Sequence, residues 1–115
     1  MSELVTVVET NAYANRANRL LPDDLRLEIA AHLAADPEYG ELMEGTGGCR
    51  KARFALPGRG KRGSVRIVHV RPGRTLPVFL IALFAKNEKS NLTKRERNTV
   101  RGLVKTLKDT YGAIK

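Results

Sequence analysis

Three runs of β-branched and apolar residues, separated by two short breaks, place the strongest constraint on the fold of this chain. The runs cover residues 49–56, 64–70 and 76–84, and the breaks between them are rich in glycine, proline and arginine. Each break is short enough to close a hairpin, so the spacing predicts a three-stranded antiparallel meander. The third run is almost wholly apolar, which predicts a strand near the centre of the sheet.

Patterns before the meander predict a strand and two helices. A β-rich run at residues 4–8 precedes a helix-permissive segment at residues 12–20. Pro22 suits the first turn of a second helix. Apolar residues in this region recur every four positions and predict one buried stripe that ends near residues 36–37. These positions are Leu21, Leu25, Ile29 and Leu33. Residues 38–48 show no sustained period and contain four glycines, so they are predicted to be a connection.

The last predicted element is a helix that begins after Thr93. Thr93 and Glu96 have the spacing of a capping box, in which the hydroxyl and the carboxylate satisfy free amides at a helix start. The apolar positions that follow have helical spacing, and Gly112 suits the helix end. They are Val100, Leu103, Val104, Leu107 and Tyr111. The resulting order, β-α-α-β-β-β-α, predicts a single α+β domain over residues 1–115, with helices packed on a mainly antiparallel sheet.

Positive charge is concentrated in one segment of the chain. Residues 45–87 contain ten basic residues and no Asp or Glu, whereas the remaining residues contain eleven basic and twelve acidic side chains. The net charge of +9 therefore originates in this segment. An uninterrupted cationic segment of this kind indicates a polyanionic partner, and nucleic-acid phosphate is the favoured one.

Other features limit the classes of function. The single cysteine, Cys49, excludes an intrachain disulfide, and with only His32 and His69 elsewhere no zinc-like cluster can be assembled. We therefore expect no metal and no cofactor. The N-terminus lacks the pattern of a signal peptide, and no apolar run reaches the roughly 18 residues of a membrane span. These features predict a cytoplasmic protein that does not associate with a membrane.

Strand alternation predicts a cationic face. Lys51 and Arg53 share one side of their strand, with Arg50 on the other side, and a suitable register would bring Arg66 beside them. Lys86, just past the third run, can reach the same surface. Such a cluster can bind phosphate through charge alone. It can also cleave RNA without a metal, if cations stabilise charge on phosphorus and a lysine of lowered pKa exchanges the proton during 2′-hydroxyl attack. The residues alone leave both possibilities open.

Three further side chains have a structural and a chemical interpretation. His69 has a pKa suited to acid–base catalysis, but alternation places it with Val65 and Ile67, which favours a core or stacking role. Tyr111 can stack on a base, although it completes an apolar helical stripe. Cys49 adjoins basic residues, yet a small buried hydrophobe is the favoured interpretation.

Four pieces of the sequence, in this order and at this spacing, closely resemble the HigB branch of the RelE/ParE toxins of bacterial toxin–antitoxin systems. They are the stretch 45–53 (GTGGCRKAR), the loop 58–63 (GRGKRG), the strand that begins Arg66-Ile67-Val68, and the stretch 85–92 (AKNEKSNL). The resemblance covers nearly the whole chain, and the predicted element order is similar to the fold of that family.

The resemblance implies an endoribonuclease that cleaves translated messenger RNA on the ribosome and is blocked by an antitoxin encoded alongside it. It implies catalytic roles for Lys51, Arg53, Arg66 and Lys86. RNA-binding side chains are predicted at Arg50, Arg59, Lys61, Arg62, Asn87 and Lys89. The same cationic face would dock an acidic, amphipathic segment of the antitoxin, which is expected to carry a DNA-binding helix-turn-helix.

The chain departs from the family pattern at three positions. Better-known RelE members have an arginine in place of Asn87 and a tyrosine in place of Thr93, and members of the HigB branch often have a tyrosine in place of His69. The assignment of the general acid and base is therefore left open. Two other functions also stay open, namely a ParE-like toxin that inhibits a topoisomerase and a non-catalytic nucleic-acid-binding protein. Retention of the four basic residues favours the endoribonuclease.

Overall fold

A five-stranded mixed sheet and three helices form the part of the chain that the computed structural model describes, which is residues 3–56, 63–85, 88–89 and 91–112. The strands are β1 (Val7–Glu9), β2 (Glu41–Leu42), β3 (Arg50–Ala55), β4 (Ser64–Val70) and β5 (Val78–Ala85). The helices are α1 (Asn11–Leu20), α2 (Asp23–Ala35) and α3 (Lys94–Gly112). The α+β class predicted from the sequence is confirmed.

The predicted meander is present as β3, β4 and β5, which pair antiparallel in chain order. The full strand order is β1-β5-β4-β3-β2, with β1 parallel to β5 and β2 antiparallel to β3. Strand β5 lies inside the sheet between β1 and β4, as its apolar composition predicted. Six of its eight residues are fully or nearly fully buried, because helices cover both faces of the sheet at this point.

Helices α1 and α2 cover one face of the sheet. The predicted stripe is confirmed, since Leu25, Ile29 and Leu33 of α2, together with Leu21 just before it, are all buried in one cluster with apolar side chains of the sheet. Burial of each such side chain contributes about 1.5–3 kcal/mol of transfer free energy, and Tyr13 and Ala17 of α1 are buried in the same cluster, so both helices hold the pair on the sheet.

Helix α3 covers the opposite face. Val100 and Val104 are buried against Val68 and Phe84 of the sheet. Leu103 and Tyr111, which the sequence placed in the buried stripe, are 37% and 39% exposed, so those parts of the prediction are wrong. The reason is geometric: Val100 and Val104, four residues apart, already define the line of contact, and Leu103 lies to one side of it.

Local hydrogen bonds fix the helix starts. The capping box is confirmed, because Thr93 N donates to Glu96 Oε1 at 2.8 Å and Glu96 N donates to Thr93 Oγ1 at 3.1 Å. Thr10 caps α1 in a similar way: its hydroxyl accepts from Tyr13 N at 3.3 Å and donates to Leu80 O at 2.7 Å. The second bond ties the start of α1 to β5.

Three boundaries differ from the prediction. Strand β2 lies within the segment predicted to be a connection, and two residues are too few for alternation to reveal a strand. Strand β1 occupies Val7–Glu9 instead of residues 4–8, because only these three residues align with β5. Pro22 occupies the N-cap position just before α2 instead of its first turn, and it makes no side-chain capping hydrogen bond. None of the helices in the described ranges combines the length and apolarity needed to cross a bilayer.

Candidate functional site

The register of β3 and β4 brings two arginines together. Arg53 lies directly opposite Arg66, and Lys51 lies opposite Val68. Residues opposite each other in an antiparallel pair point to the same face, so Lys51, Arg53 and Arg66 share one side of the sheet. Arg53 is exposed, whereas Lys51 and Arg66 are half-buried. We call these three residues the cationic face. The sequence predicted the shared side of Lys51 and Arg53, and the register decided that Arg66 lies opposite Arg53 on that side.

Apolar packing under the cationic face holds Arg66 in place. On its other side Arg66 lies opposite Phe84 of β5, which is only 2% exposed because α3 covers it. The Arg66 guanidinium also donates to Ser64 Oγ at 2.9 Å. A half-buried guanidinium with one anchoring bond keeps other N–H groups available for an anionic ligand, since arginine has five such donors.

Glu88 is held against the end of β5. Glu88 Oε1 accepts from the backbone N–H of Ala85 at 2.8 Å and forms an ion pair with Arg16, whose Nε donates to Leu83 O at 3.1 Å. The hydrogen bond from the backbone N–H of Ala85 is the main reason why the pKa of Glu88 is lowered. Lys86 and Asn87, together with Arg59, Lys61 and Arg62, lie outside the described residues, so their predicted roles stay predictions.

Lys89 lies beside the cationic face, but an acidic partner compensates its charge. Its Nζ pairs with Glu96 and sits 5.5 Å from the centroid of the Phe84 ring. The hydrogen bond from Lys89, followed by the Thr93 amide, lowers the pKa of Glu96. Lys89 therefore links the end of the sheet to the cap of α3. Its predicted contact with RNA stays a prediction.

Arg50 lies on the opposite face from Lys51 and Arg53, as strand alternation predicted. It pairs with His69 across β3 and β4, and its guanidinium donates to Gly40 O at 3.1 Å. There it lines a separate cavity of about 490 Å³ together with Arg71, Arg74 and His69. The structure therefore does not bring Arg50 into the cationic face.

A smaller cleft adjoins Lys51, and no pattern in the sequence predicted it. It measures about 210 Å³ and is lined by Glu41, Leu42, Met43, Glu44, Lys51, Asn91 and Arg97. Glu41 lies opposite Lys51 in the β2–β3 pair, so it shares the side of the cationic face. The sequence gives only a weak signal for this cleft. Glu41 and Glu44 are the last acidic residues before the acid-free segment, but Asn91 and Arg97, which also line the cleft, are far along the chain.

The glycine-rich stretch at residues 45–48 directly follows Glu44 and leads the chain from β2 to β3. Gly45 and Gly47 have φ angles of 76° and 80°, a conformation that side chains disfavour. Thr46, fully buried between them, donates to Met43 O at 2.7 Å and accepts from Cys49 N at 3.0 Å. This turn closes the β2–β3 connection and thereby sets the position of Glu44.

His69 and Cys49 are structural in this fold. His69 is fully buried, and its Nε2 lies 2.8 Å from the Tyr39 carbonyl, to which it donates as the neutral ring. Burial lowers the pKa of His69 and raises the pKa of Cys49 to about 11. Both positions match the core interpretation favoured from the sequence. Within the described ranges, no group of three or more His, Cys, Asp or Glu side chains is arranged to hold a metal ion.

Comparison with protein families identifies the chain. A family model described as "RelE toxin of RelE / RelB toxin-antitoxin system" matches residues 10–113. This range includes the cationic face, the adjoining cleft and every described element except β1. The α+β fold agrees with the resemblance stated from the sequence. The chain therefore belongs to the RelE toxin family of toxin–antitoxin systems.

Proposed function

We propose that this toxin is an endoribonuclease that cleaves translated messenger RNA on the ribosome. The observation that carries the proposal is the pairing of Arg53 with Arg66 on the side of the sheet that also presents Lys51. Two guanidinium groups held on neighbouring strands offer a fork of N–H donors to one phosphate, a geometry for which arginine is better suited than lysine.

The proposed reaction is transesterification at phosphorus. The ribose 2′-oxygen forms a bond to the adjacent phosphorus, the bond from phosphorus to the 5′-oxygen breaks, and the products are a 2′,3′-cyclic phosphate and a 5′-hydroxyl. One proton leaves the 2′-hydroxyl and one is delivered to the 5′-oxygen, so the step balances without a further reactant. Negative charge grows on the phosphoryl oxygens, and donors that are already in place stabilise it.

Arg53 and Arg66 are assigned the electrostatic role, because a guanidinium stays protonated in proteins and cannot act as a base. Proton exchange is assigned to the lysines, Lys51 and Lys86, whose ammonium groups can lose a proton. The ribosome is assigned the alignment of the messenger, because holding the reacting groups in position lowers the barrier to reaction. Under this proposal cleavage depends on the ribosome, because the toxin supplies charge stabilisation and proton exchange and the ribosome supplies alignment.

The proposed partner of the stored toxin is an antitoxin with a helix-turn-helix and an acidic, amphipathic segment. Lys51, Arg53 and Arg66 form a surface that such a segment can cover, which would exclude RNA by occupying the same charges. Because exposed charge pairs are screened by salt, the complex should weaken as ionic strength rises.

The decisive experiment induces the toxin in growing bacteria, with and without the neighbouring open reading frame, and maps messenger ends. We expect new ends within translated reading frames when the toxin is alone. Arg66→Ala should abolish them, whereas Arg19→Ala, which removes an exposed arginine on α1, should not. Circular dichroism of both variants controls for folding. A fully active Arg66→Ala protein, or a DNA-damage response with messengers intact, contradicts the proposal.

A further inference from the structure

We propose that the cleft beside Lys51 binds a nucleobase next to the scissile phosphate and favours bases with an exocyclic amino group over uracil. The proposal rests on the proposed function and assigns substrate selection to residues outside the cationic face. Glu41, Glu44, Asn91 and Arg97 are the polar side chains that would make the contacts.

The position of the cleft links it to the reaction. Lys51 lines the cleft and also belongs to the cationic face, and Glu41 lies opposite Lys51 on the neighbouring strand. A phosphate bound at Arg53 and Arg66 would therefore place an adjoining nucleotide within reach of the cleft. The volume of about 210 Å³ equals about seven water molecules at roughly 30 Å³ each, which suits a single base rather than a whole nucleotide.

The carboxylates are the informative feature of this cleft. Next to an RNA-binding surface a carboxylate repels phosphate and lowers affinity, so Glu41 and Glu44 are poorly suited to backbone binding. A carboxylate is, however, a strong acceptor for the amino protons of a base, as in the pairing of Glu or Asp with cytosine N4. Their presence indicates contact with base edges.

Donors on the other wall complement the carboxylates. Asn91 Oδ1 already accepts from Leu92 N at 3.0 Å, which directs the amide NH₂ toward other acceptors. Arg97 Nε is buried and lacks a hydrogen-bond partner among the described residues. Arg97 also lines the cleft, and its guanidinium has further N–H donors from which a ring nitrogen or carbonyl of a base can accept.

This mixture of acceptors and donors discriminates among bases. Adenine, cytosine and guanine each present an NH₂ group beside a ring acceptor, whereas uracil presents two carbonyls and a single ring N–H. Uracil would leave a carboxylate facing a carbonyl oxygen. One good base contact of this kind typically changes preference by roughly 5- to 150-fold.

The test measures cleavage frequencies on ribosomes programmed with a messenger library that carries all four bases at each codon position. For the wild-type toxin we expect one position at which uracil is depleted by roughly fivefold or more. Glu41→Gln or Glu44→Gln should reduce that depletion several-fold, because an amide can donate to a uracil carbonyl. Glu28→Gln, which removes an exposed carboxylate from α2, is the matched control and should leave the depletion unchanged.

The outcomes separate the two proposals. Base frequencies that are the same in the wild type and in both cleft variants overturn the inference, while persistent cleavage keeps the endoribonuclease proposal. A uniform loss of rate at all four bases also overturns the inference, because it indicates that the carboxylates only support Lys51 or Arg97. A wild-type toxin that cleaves nothing overturns both proposals.

Discussion

Removing the charge of Arg66 should abolish cleavage and, at the same time, leave the protein as stable as before or slightly more stable. The perturbation is Arg66→Gln, which removes the positive charge opposite Arg53. The wild-type guanidinium donates to Ser64 Oγ at 2.9 Å, and the glutamine amide keeps an N–H donor near that oxygen. Like charges that lie directly opposite on neighbouring strands destabilise a sheet.

The magnitude follows from the register. Two unit charges separated by about 6 Å repel by about 0.7 kcal/mol in water, and cross-strand pairs typically contribute 0.2–1 kcal/mol. Partial loss of the Ser64 bond offsets part of this gain, so we expect a stabilisation between 0 and about 1 kcal/mol. The loss of activity is larger, since removal of one electrostatic contact in a transition state typically costs roughly 100- to 1,000-fold in rate.

The assay is urea unfolding of the wild type, Arg53→Gln, Arg66→Gln and the double variant, at roughly 0.05 M and 1 M salt. The double-mutant cycle isolates the repulsion between the two arginines. We expect this coupling at low salt and its near disappearance at high salt, where the screening length is only about 3 Å. Cleavage by the same four proteins on programmed ribosomes supplies the second measurement.

Two results would refute this reasoning. Destabilisation of Arg66→Gln by more than about 1 kcal/mol would show that the guanidinium holds the fold together, so its loss of activity would carry no information about catalysis. Zero coupling between Arg53 and Arg66 at low salt would show that the two groups point apart and do not form one phosphate site.

Three further predictions concern stability, titration and metal dependence. Thr93→Ala removes the hydroxyl that accepts from Glu96 N, so it should lower the free energy of unfolding by roughly 0.5–2 kcal/mol in urea titrations, with Thr99→Ala, inside α3, as the smaller-effect control. Because burial lowers the pKa of His69, the unfolded state binds more protons between its own pKa near 6.5 and the lower folded value. Stability should therefore fall as pH decreases through that window, by up to about 1.4 kcal/mol per unit, and His69→Gln should reduce the slope; an unchanged slope contradicts the burial argument. Cleavage should persist when zinc and manganese are chelated and magnesium is retained for the ribosomes, and activity that zinc or manganese specifically restores would contradict metal-free chemistry.

Local patterns in the sequence were sufficient for most of the secondary structure. The capping box at Thr93 and Glu96 involves residues three apart, and the stripe on α2 repeats within a few helical turns. The two breaks between the meander strands are likewise short. Such patterns predict structure well because the residues that interact are close in the chain, so their contacts depend little on the rest of the fold.

The sequence also predicted which side of β3 is cationic, because alternation places Lys51 and Arg53 together whatever β3 pairs with. It did not determine the partner of Arg53. The break before β4 is seven residues long, and a shift of one residue would have turned Arg66 to the other face. Only the tertiary packing of Val65 and Ile67 against α1 and α2 selects the observed register.

The cleft beside Lys51 depended entirely on the tertiary structure. Its walls come from β2, β3, the segment before α3 and α3 itself, so Glu41 and Arg97 meet across more than fifty intervening residues. The parallel pairing of β1 with β5 is equally distant in sequence, as Val7 lies opposite Val78. Contacts of this kind produce no periodic pattern in the sequence, because they form only when helices pack on the sheet and bring distant segments side by side.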